Sequence, residues 1–279
     1  MPIDLEAEYN NRARVPEHPA ILAKLDVDAA AYRAKAPKAE IGLRYGPGER
    51  QVIDLFPSGA AKAPLAMFIH GGYWRTNHCS SYSHLAEHLN ARGIDVAVAG
   101  YDLCPQVKLG DIIAEMRAAV LFLWRKRRQR VFVFGHSAGG HLAACMVATH
   151  WQKLAADAPD DLVPAAYAIS GLYDLTPMLS VSMNQELRLD ETQARAASPL
   201  FWDVPPGRIL DVVVGGIESD EFRRQSRIIA DGWQDKMRTR YAEIPGANHF
   251  TVIDPMSDPD SEMVQRVVEL ARQTAAMKL

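Results

Sequence analysis

Ser137 stands in Gly135-His136-Ser137-Ala138-Gly139, a G-x-S-x-G sequence. Val131 to Phe134 precede it as an uninterrupted apolar run of β-branched and aromatic residues, the composition of a strand buried on both faces of a parallel sheet. From Ala138 onward the residues are small or aliphatic and favour helix. A chain that passes from strand to helix at one residue strains that residue and projects its side chain above the sheet, the arrangement of a nucleophile elbow. Gly135 and Gly139 lack a Cβ, so strand and helix can pack closely around the turn. Serine is a poor nucleophile at neutral pH; it needs a base within hydrogen-bond reach, and the base needs an orienting carboxylate. The chemistry open to such a serine is acyl transfer. Its tetrahedral intermediate needs N–H donors, of which Ala138 is expected to be one. Gly71 and Gly72, in His70-Gly71-Gly72-Tyr73, are expected to complete the oxyanion hole, because glycines let backbone N–H groups approach a substrate oxygen unobstructed. The loop is not followed by the G-K-[ST] of a phosphate cradle.

The elements that must position these residues alternate along the chain. Strands are expected at 64–70, 94–99, 131–134, 165–170, 208–214 and 239–244, with helices at 80–91, 108–127, 138 onward and 219–237, and from about 251 to the C-terminus. Arg50 to Pro57 alternates apolar and polar residues, as an edge or antiparallel strand would. The alternation predicts the α/β class, with a doubly wound, mostly parallel sheet. The notable residues fall where strands end, where open α/β sheets place their ligands. Residues 175–207 lack strand periodicity and contain four prolines, Pro177, Pro199, Pro205 and Pro206; short helices forming a small lid are expected there. Residues 1–40 are an N-terminal extension, with a helix at 19–35 bounded by Pro16, Pro19 and Pro37, and either join the lid or simply pack against the body. No second core is visible, so residues 1–279 are expected to form a single domain.

A G-x-S-x-G elbow on a doubly wound sheet resembles the α/β-hydrolase fold, in which the chain order is serine, acid, histidine. His249 is the one histidine after His150 and follows the last strand, so it is the candidate base. Glu218 and Asp220 both follow the preceding strand. Glu218 comes first after Gly215-Gly216 and is favoured as the acid, whereas Asp220 suits the first turn of a helix. Asp211 lies toward the wrong end of its strand, and Asp254 is too close to His249 in sequence. Gly-His-Ser-Ala-Gly-Gly-His-Leu at 135–142 and His-Gly-Gly-Tyr-Trp at 70–74 together resemble the arylformamidase (kynurenine formamidase) group, near the hormone-sensitive-lipase-like esterases. Ser170-Gly-Leu-Tyr-Asp-Leu175, Glu221-Phe222 with Gln225-Ser226, and Gly246-Ala-Asn-His-Phe250 extend the likeness across roughly residues 40–275. The resemblance implies a serine hydrolase of small aryl formamides or esters that uses no cofactor, with Ser137, Glu218 and His249 as nucleophile, acid and base. One position departs from the group: its members usually carry Asp where this chain has Glu218. A carboxylesterase with no formamidase role therefore stays open, as does a non-catalytic binding protein on the same fold.

Tyr73 and Trp74 follow the oxyanion glycines, and with His136 they are expected to wall the substrate pocket, favouring formyl or acetyl groups on flat leaving groups. His141, on the other side of the elbow, is expected to support it. His84 and His88 share a helical spacing that could hold a metal, but no H-E-x-x-H and no third ligand accompany them; a solvated helix face is expected and no metal. The chain of 279 residues is 48% apolar with a net charge of -3, enough for a sizeable core and too balanced for nucleic acid to be the main partner. The basic run Arg125 to Arg128 ends a helix, where it opposes the dipole. Cys79, Cys104 and Cys145 are few and unpatterned, and the N-terminal residues show no secretion signal, so a cytoplasmic location is expected. No apolar stretch is long enough to span a membrane. The expected partners are a small-molecule ester or amide and, at most, a second copy of the chain in a homodimer.

Overall fold

The computed structural model describes residues 3–36 and 38–277. Its centre is an eight-stranded sheet: β1 (Glu40–Arg44), β2 (Val52–Phe56), β3 (Leu65–Ile69), β4 (Asp95–Ala99), β5 (Val131–His136), β6 (Ala165–Ile169), β7 (Ile209–Gly215) and β8 (Arg238–Ile244). The order across the sheet is β1-β2-β4-β3-β5-β6-β7-β8. β2 runs antiparallel to β1 and β4, and every other pairing is parallel. Strands β3, β4, β5 and β6 are buried at every residue, as strands covered by helices on both faces must be. One apolar cluster fills the side of Trp74, Met116 and Leu142; a second fills that of Phe68, Phe134 and Val264.

The expected order of strands and helices holds, with differences at β2, at the helix expected over 80–91 and after β8, where the helix expected from about 251 begins only at Glu262, behind a 3₁₀ turn at Asp254–Ser257. Strand β2 is antiparallel, as its alternation implies, but it is not the edge: β1 covers it. Glu-Ile-Gly-Leu-Arg carries no apolar run, and no residue of β1 is fully buried, so little in the sequence marks it as a strand. The helix expected at 80–91 begins as a 3₁₀ segment, Cys79–Leu85, and becomes α-helical over Ala86–Ala91. His84 belongs to the 3₁₀ part and is buried, so His84 and His88 do not share a solvated helix face. The N-terminal helix covers His18–Lys35 and packs on the 79–85 segment; Pro37, expected to bound it, lies outside the described residues. Residues 175–207 form four short helical pieces: Thr176–Ser180, Asn184–Leu187, Glu191–Ala196 and Pro199–Phe201. No helix among the described residues is long and apolar enough to cross a membrane.

Candidate active site

Strand β5 ends at His136, and helix Ala138–Val147 begins one residue later. Ser137 alone makes the turn, with φ 58° and ψ -120°, a strained conformation for a residue with a side chain. The turn is possible because the helix sits directly on β3: a Cβ on Gly139 would lie 1.9 Å from the Ile69 carbonyl oxygen. The Ser137 hydroxyl is 2.9 Å from His249 Nε2, and His249 Nδ1 donates to Glu218 Oε2 at 2.7 Å. The three side chains come from loops after β5, β8 and β7, so the sheet brings together groups 112 and 31 positions apart in sequence.

Glu218 is held from both sides. Its Oε1 accepts the Ser170 hydroxyl and, at 2.7 Å, the Gly215 N–H. With His249, three donors converge on a carboxylate whose side chain is fully buried. Ser170, at the end of β6, is itself at φ 50°. Its role was not read from the sequence, although the motif that contains it was noted. A serine at the C-terminal end of the strand beside β5 was the available signal. Asp220 lies in the first turn of helix Asp220–Trp233, exposed and paired with Arg223. Asp211 is buried within β7 and pairs with Arg266 at 2.7 Å.

The glycine loop after β3 is fixed by its neighbours. The His70 carbonyl accepts the Tyr101 hydroxyl at 2.9 Å. The Gly71 carbonyl accepts His70 Nδ1–H at 2.8 Å and Asn77 Nδ2–H at 3.2 Å. In a planar trans peptide the N–H points opposite to the carbonyl. The Gly71 and Gly72 N–H groups therefore face away from those donors, and among the described residues they meet no protein acceptor, nor does Ala138 N–H. Gly71 touches the Ser137 turn so closely that a Cβ there would lie 2.9 Å from Ser137 Cβ. Burial depresses the His70 imidazole to about 3, which keeps the ring neutral; it stacks on Tyr101 at 4.3 Å.

His136 lines the cavity beside Ser137. Its Nε2–H donates to the His249 carbonyl at 2.8 Å, fixing the backbone at His249. Burial, reinforced by His249, pushes its pKa down to about 3, so it stays neutral. His141 is buried and donates from Nε2 to the Ala197 carbonyl at 2.8 Å, tying the elbow helix to the 175–207 segment.

Trp74 is placed differently from expectation. Tyr73 and Trp74 both adopt left-handed backbone, with φ 49° and 56°. The chain reverses there and sends the indole beneath the loop. Trp74 is 0% exposed, edge-on to His141 at 5.0 Å, and does not line the cavity. Tyr73 does line it. Burial raises the Tyr73 phenol well above its ordinary pKa, and the hydroxyl donates to the Tyr9 carbonyl at 2.5 Å.

The N-terminal segment forms the roof of the site. Tyr9, Asn11 and Leu22 line the cavity, together with Ser182 and Met183 from the 175–207 segment. Tyr9 is buried; its hydroxyl donates to Glu221 at 2.7 Å and accepts from Gln225 at 3.0 Å. Of the two placements open to residues 1–40, the described part both packs on the body and borders the cavity. Apolar side chains such as Leu25, Phe250 and Ile253 supply the rest of the wall.

A strained serine at a strand–helix turn, a histidine bridging it to a buried carboxylate, and the doubly wound sheet beneath define a hydrolase site. The family model described as the α/β-hydrolase fold matches residues 66–252, and the chain belongs to that family; it is an enzyme of the esterase and hydrolase type. Within the family it is similar to kynurenine formamidases. It is 30% identical to that of Drosophila melanogaster, over 79% of this chain and 78% of the relative. It is 27% identical to that of Salmo salar, over 82% and 81%. Among solved structures, a protein of Silicibacter sp. superposes with a TM-score of 0.84 at 31% identity, covering 95% of this chain and 99% of the other. A hyperthermophilic esterase of Pyrobaculum calidifontis shares the fold, with a TM-score of 0.70 at 18% identity over 99% of each chain.

Proposed function

We propose that this chain is a serine hydrolase that cleaves a small aryl formamide or ester through an acyl-enzyme on Ser137. The observation that carries the reading is the unbroken hydrogen-bond chain from Ser137 Oγ through His249 to Glu218, beside backbone N–H groups with no protein acceptor among the described residues. In this mechanism Ser137 Oγ attacks the carbonyl carbon as His249 Nε2 takes the hydroxyl proton. Glu218 holds the imidazole with its acceptor nitrogen toward Ser137 and stabilises the imidazolium. The Ala138 N–H and those of Gly71 and Gly72 stabilise the oxyanion, each donor being worth about 3 kcal/mol in comparable enzymes. The intermediate collapses, and the leaving amine or phenol receives the proton from His249. Water, deprotonated by the same nitrogen, then attacks the acyl-enzyme and releases formate or the short carboxylate.

The similarity to kynurenine formamidases supports an aryl formamide substrate, and the apolar wall of Leu25, Phe250 and Ile253 suits a flat leaving group. The carboxylesterase alternative rests on one residue, Glu218, where the formamidase group usually carries Asp. The deciding measurement is kcat/KM for N-formylkynurenine against p-nitrophenyl acetate, with Ser137→Ala as control. Higher efficiency on the formamide supports the proposal. Ester turnover without formamide turnover selects the alternative. Unchanged turnover in folded Ser137→Ala refutes both.

A further inference from the structure

The Gly72 N–H belongs to a peptide flanked by two glycines, and Gly72 sits at φ 117°, in the region that favours glycine. No Cβ resists rotation of that peptide plane. A half-turn would swing the Gly72 N–H away from the cavity and put the Gly71 carbonyl in its place, an acceptor where an oxyanion needs a donor. The next peptide is fixed by the loop itself: the Gly72 carbonyl accepts the Arg75 and Thr76 N–H groups, both at 3.0 Å, and the Thr76 hydroxyl at 3.1 Å. The Gly71 carbonyl has two side-chain donors. One is the adjoining His70 ring; the other is Asn77, six positions along the chain.

Asn77 is held at both ends. A carbonyl oxygen only accepts, so the side-chain atom that faces Gly71 is the amide nitrogen. Its other hydrogen goes to the Tyr82 hydroxyl at 3.1 Å. Tyr82 is buried and stacks on the His70 ring with the planes 7° apart, so both donors to the Gly71 carbonyl rest on the same tyrosine. The Asn77 backbone is left-handed, with φ 74°, a conformation that Asn adopts more readily than most residues. Its carbonyl accepts from the Arg50 guanidinium, which also donates to the Tyr101 carbonyl at 3.1 Å. We infer that Asn77 is a positioning residue: it closes the 71–77 loop on itself and keeps the Gly72 N–H available to the oxyanion. The inference deepens the serine hydrolase reading and rests on it. Asn77 also lines the cavity, so the competing role is a direct contact with substrate.

Two variants test it, and both suit a left-handed backbone. Asn77→Gly removes the donor; Asn77→Asp keeps the shape and turns the donor into an acceptor. Loss of one oxyanion donor costs about a hundredfold or more in kcat, and His70 still holds the carbonyl in Asn77→Gly. That variant is therefore expected to lose about thirtyfold in kcat on p-nitrophenyl acetate, with KM within about twofold, and Asn77→Asp about a hundredfold. Two ketones separate positioning from substrate contact. The Ser137 hydroxyl adds to the carbonyl carbon of 2,2,2-trifluoroacetophenone, its proton passing to His249 and the C=O electron pair to the oxygen, which becomes the oxyanion. Acetophenone fills the same space without adding. The variants should weaken inhibition by the fluorinated ketone by the same factor as kcat and leave inhibition by acetophenone unchanged. Thermal melts show which variants fold, and Asn77→Asp carries the test if Asn77→Gly does not. Unchanged kcat in a folded variant, a loss expressed in KM, or equal weakening of both ketones overturns the inference alone. Turnover that survives in folded Ser137→Ala, or equal binding of the two ketones by wild type, overturns the serine hydrolase reading and the inference with it.

Discussion

Glu218→Gln replaces a group that only accepts hydrogen bonds by one that must also donate. Its two oxygens meet three donors: His249 Nδ1–H on one side, and the Ser170 hydroxyl and Gly215 N–H on the other. The glutamine amide nitrogen must face one side or the other. Facing Gly215, it opposes a backbone N–H that cannot turn away, and a buried donor left unsatisfied costs about 1–3 kcal/mol. Facing His249, it asks only that the imidazole move its proton from Nδ1 to Nε2. The second arrangement costs less, so it should dominate. It leaves His249 with a proton already on the nitrogen that must receive one from Ser137. In serine enzymes the corresponding change lowers kcat by about ten-thousand-fold, which corresponds to about 5.4 kcal/mol of lost transition-state stabilisation. Asp220→Asn is the control, because that side chain is 85% exposed and pairs with Arg223; it should stay within about twofold of wild type. The assay is steady-state turnover of p-nitrophenyl acetate and the rate of fluorophosphonate labelling at Ser137, with thermal melts to show that each variant is folded. Turnover of folded Glu218→Gln within tenfold of wild type would refute the reasoning, as would an equal loss in Asp220→Asn.

Gly71→Ala should lose about a hundredfold in kcat, since the new Cβ would lie 2.9 Å from both Ser137 Cβ and the His136 carbonyl oxygen and must shift one of them; kcat is the readout, with thermal melts to show that the variant is folded. Trp74→Ala should lower stability by about 3–5 kcal/mol, the cost of emptying a buried indole site, and leave the preference for acyl-chain length unchanged; urea unfolding and a p-nitrophenyl ester series from acetate to decanoate measure both. Burial depresses the His141 pKa from 6.5 to about 4, below its unfolded value. The unfolded chain therefore binds the extra proton first as pH falls, and stability is full above pH 6.5 and declines from there to about pH 4, by about 1.4 kcal/mol per unit at the steepest. The His141→Gln variant should show a shallower fall of Tm between those pH values.

Of the parallel strands, β3 to β7 were legible because each is a short, largely apolar run closed by glycine or a turn, and burial on both faces demands that composition; β8, Arg-Thr-Arg-Tyr-Ala-Glu-Ile with no residue fully buried, is not such a run. Strand β1 was not: Ile41 and Leu43 flank Gly42, and Ile41 is 49% exposed, so the pairing with β2 defines the strand and its side chains do not. The approach of Ser137, Glu218 and His249 could be anticipated from their order relative to strands, since the C-terminal ends of neighbouring parallel strands open on one place. Trp74 could not be placed in the same way. Its direction depends on two successive left-handed residues, Tyr73 and Trp74, which their side chains do not announce. The N-terminal contribution was hidden for a different reason. Tyr9 meets Glu221 across 212 positions, and no local pattern encodes a contact of that range.

The hydrogen bond from Tyr73 to the Tyr9 carbonyl has a practical consequence for handling the enzyme. The loop that carries Gly71 and Gly72 is stitched to the helix Leu5–Tyr9, 64 positions away in sequence. A change in Leu5–Tyr9 is therefore felt at the glycine loop beside Ser137. Helix Glu262–Ala276, by contrast, packs behind β5 and β6 and supplies no residue to the cavity lining, so changes on its outer face leave the roof untouched. Libraries that seek new substrate preferences belong at Leu22 and Leu25, which line the cavity from the N-terminal segment.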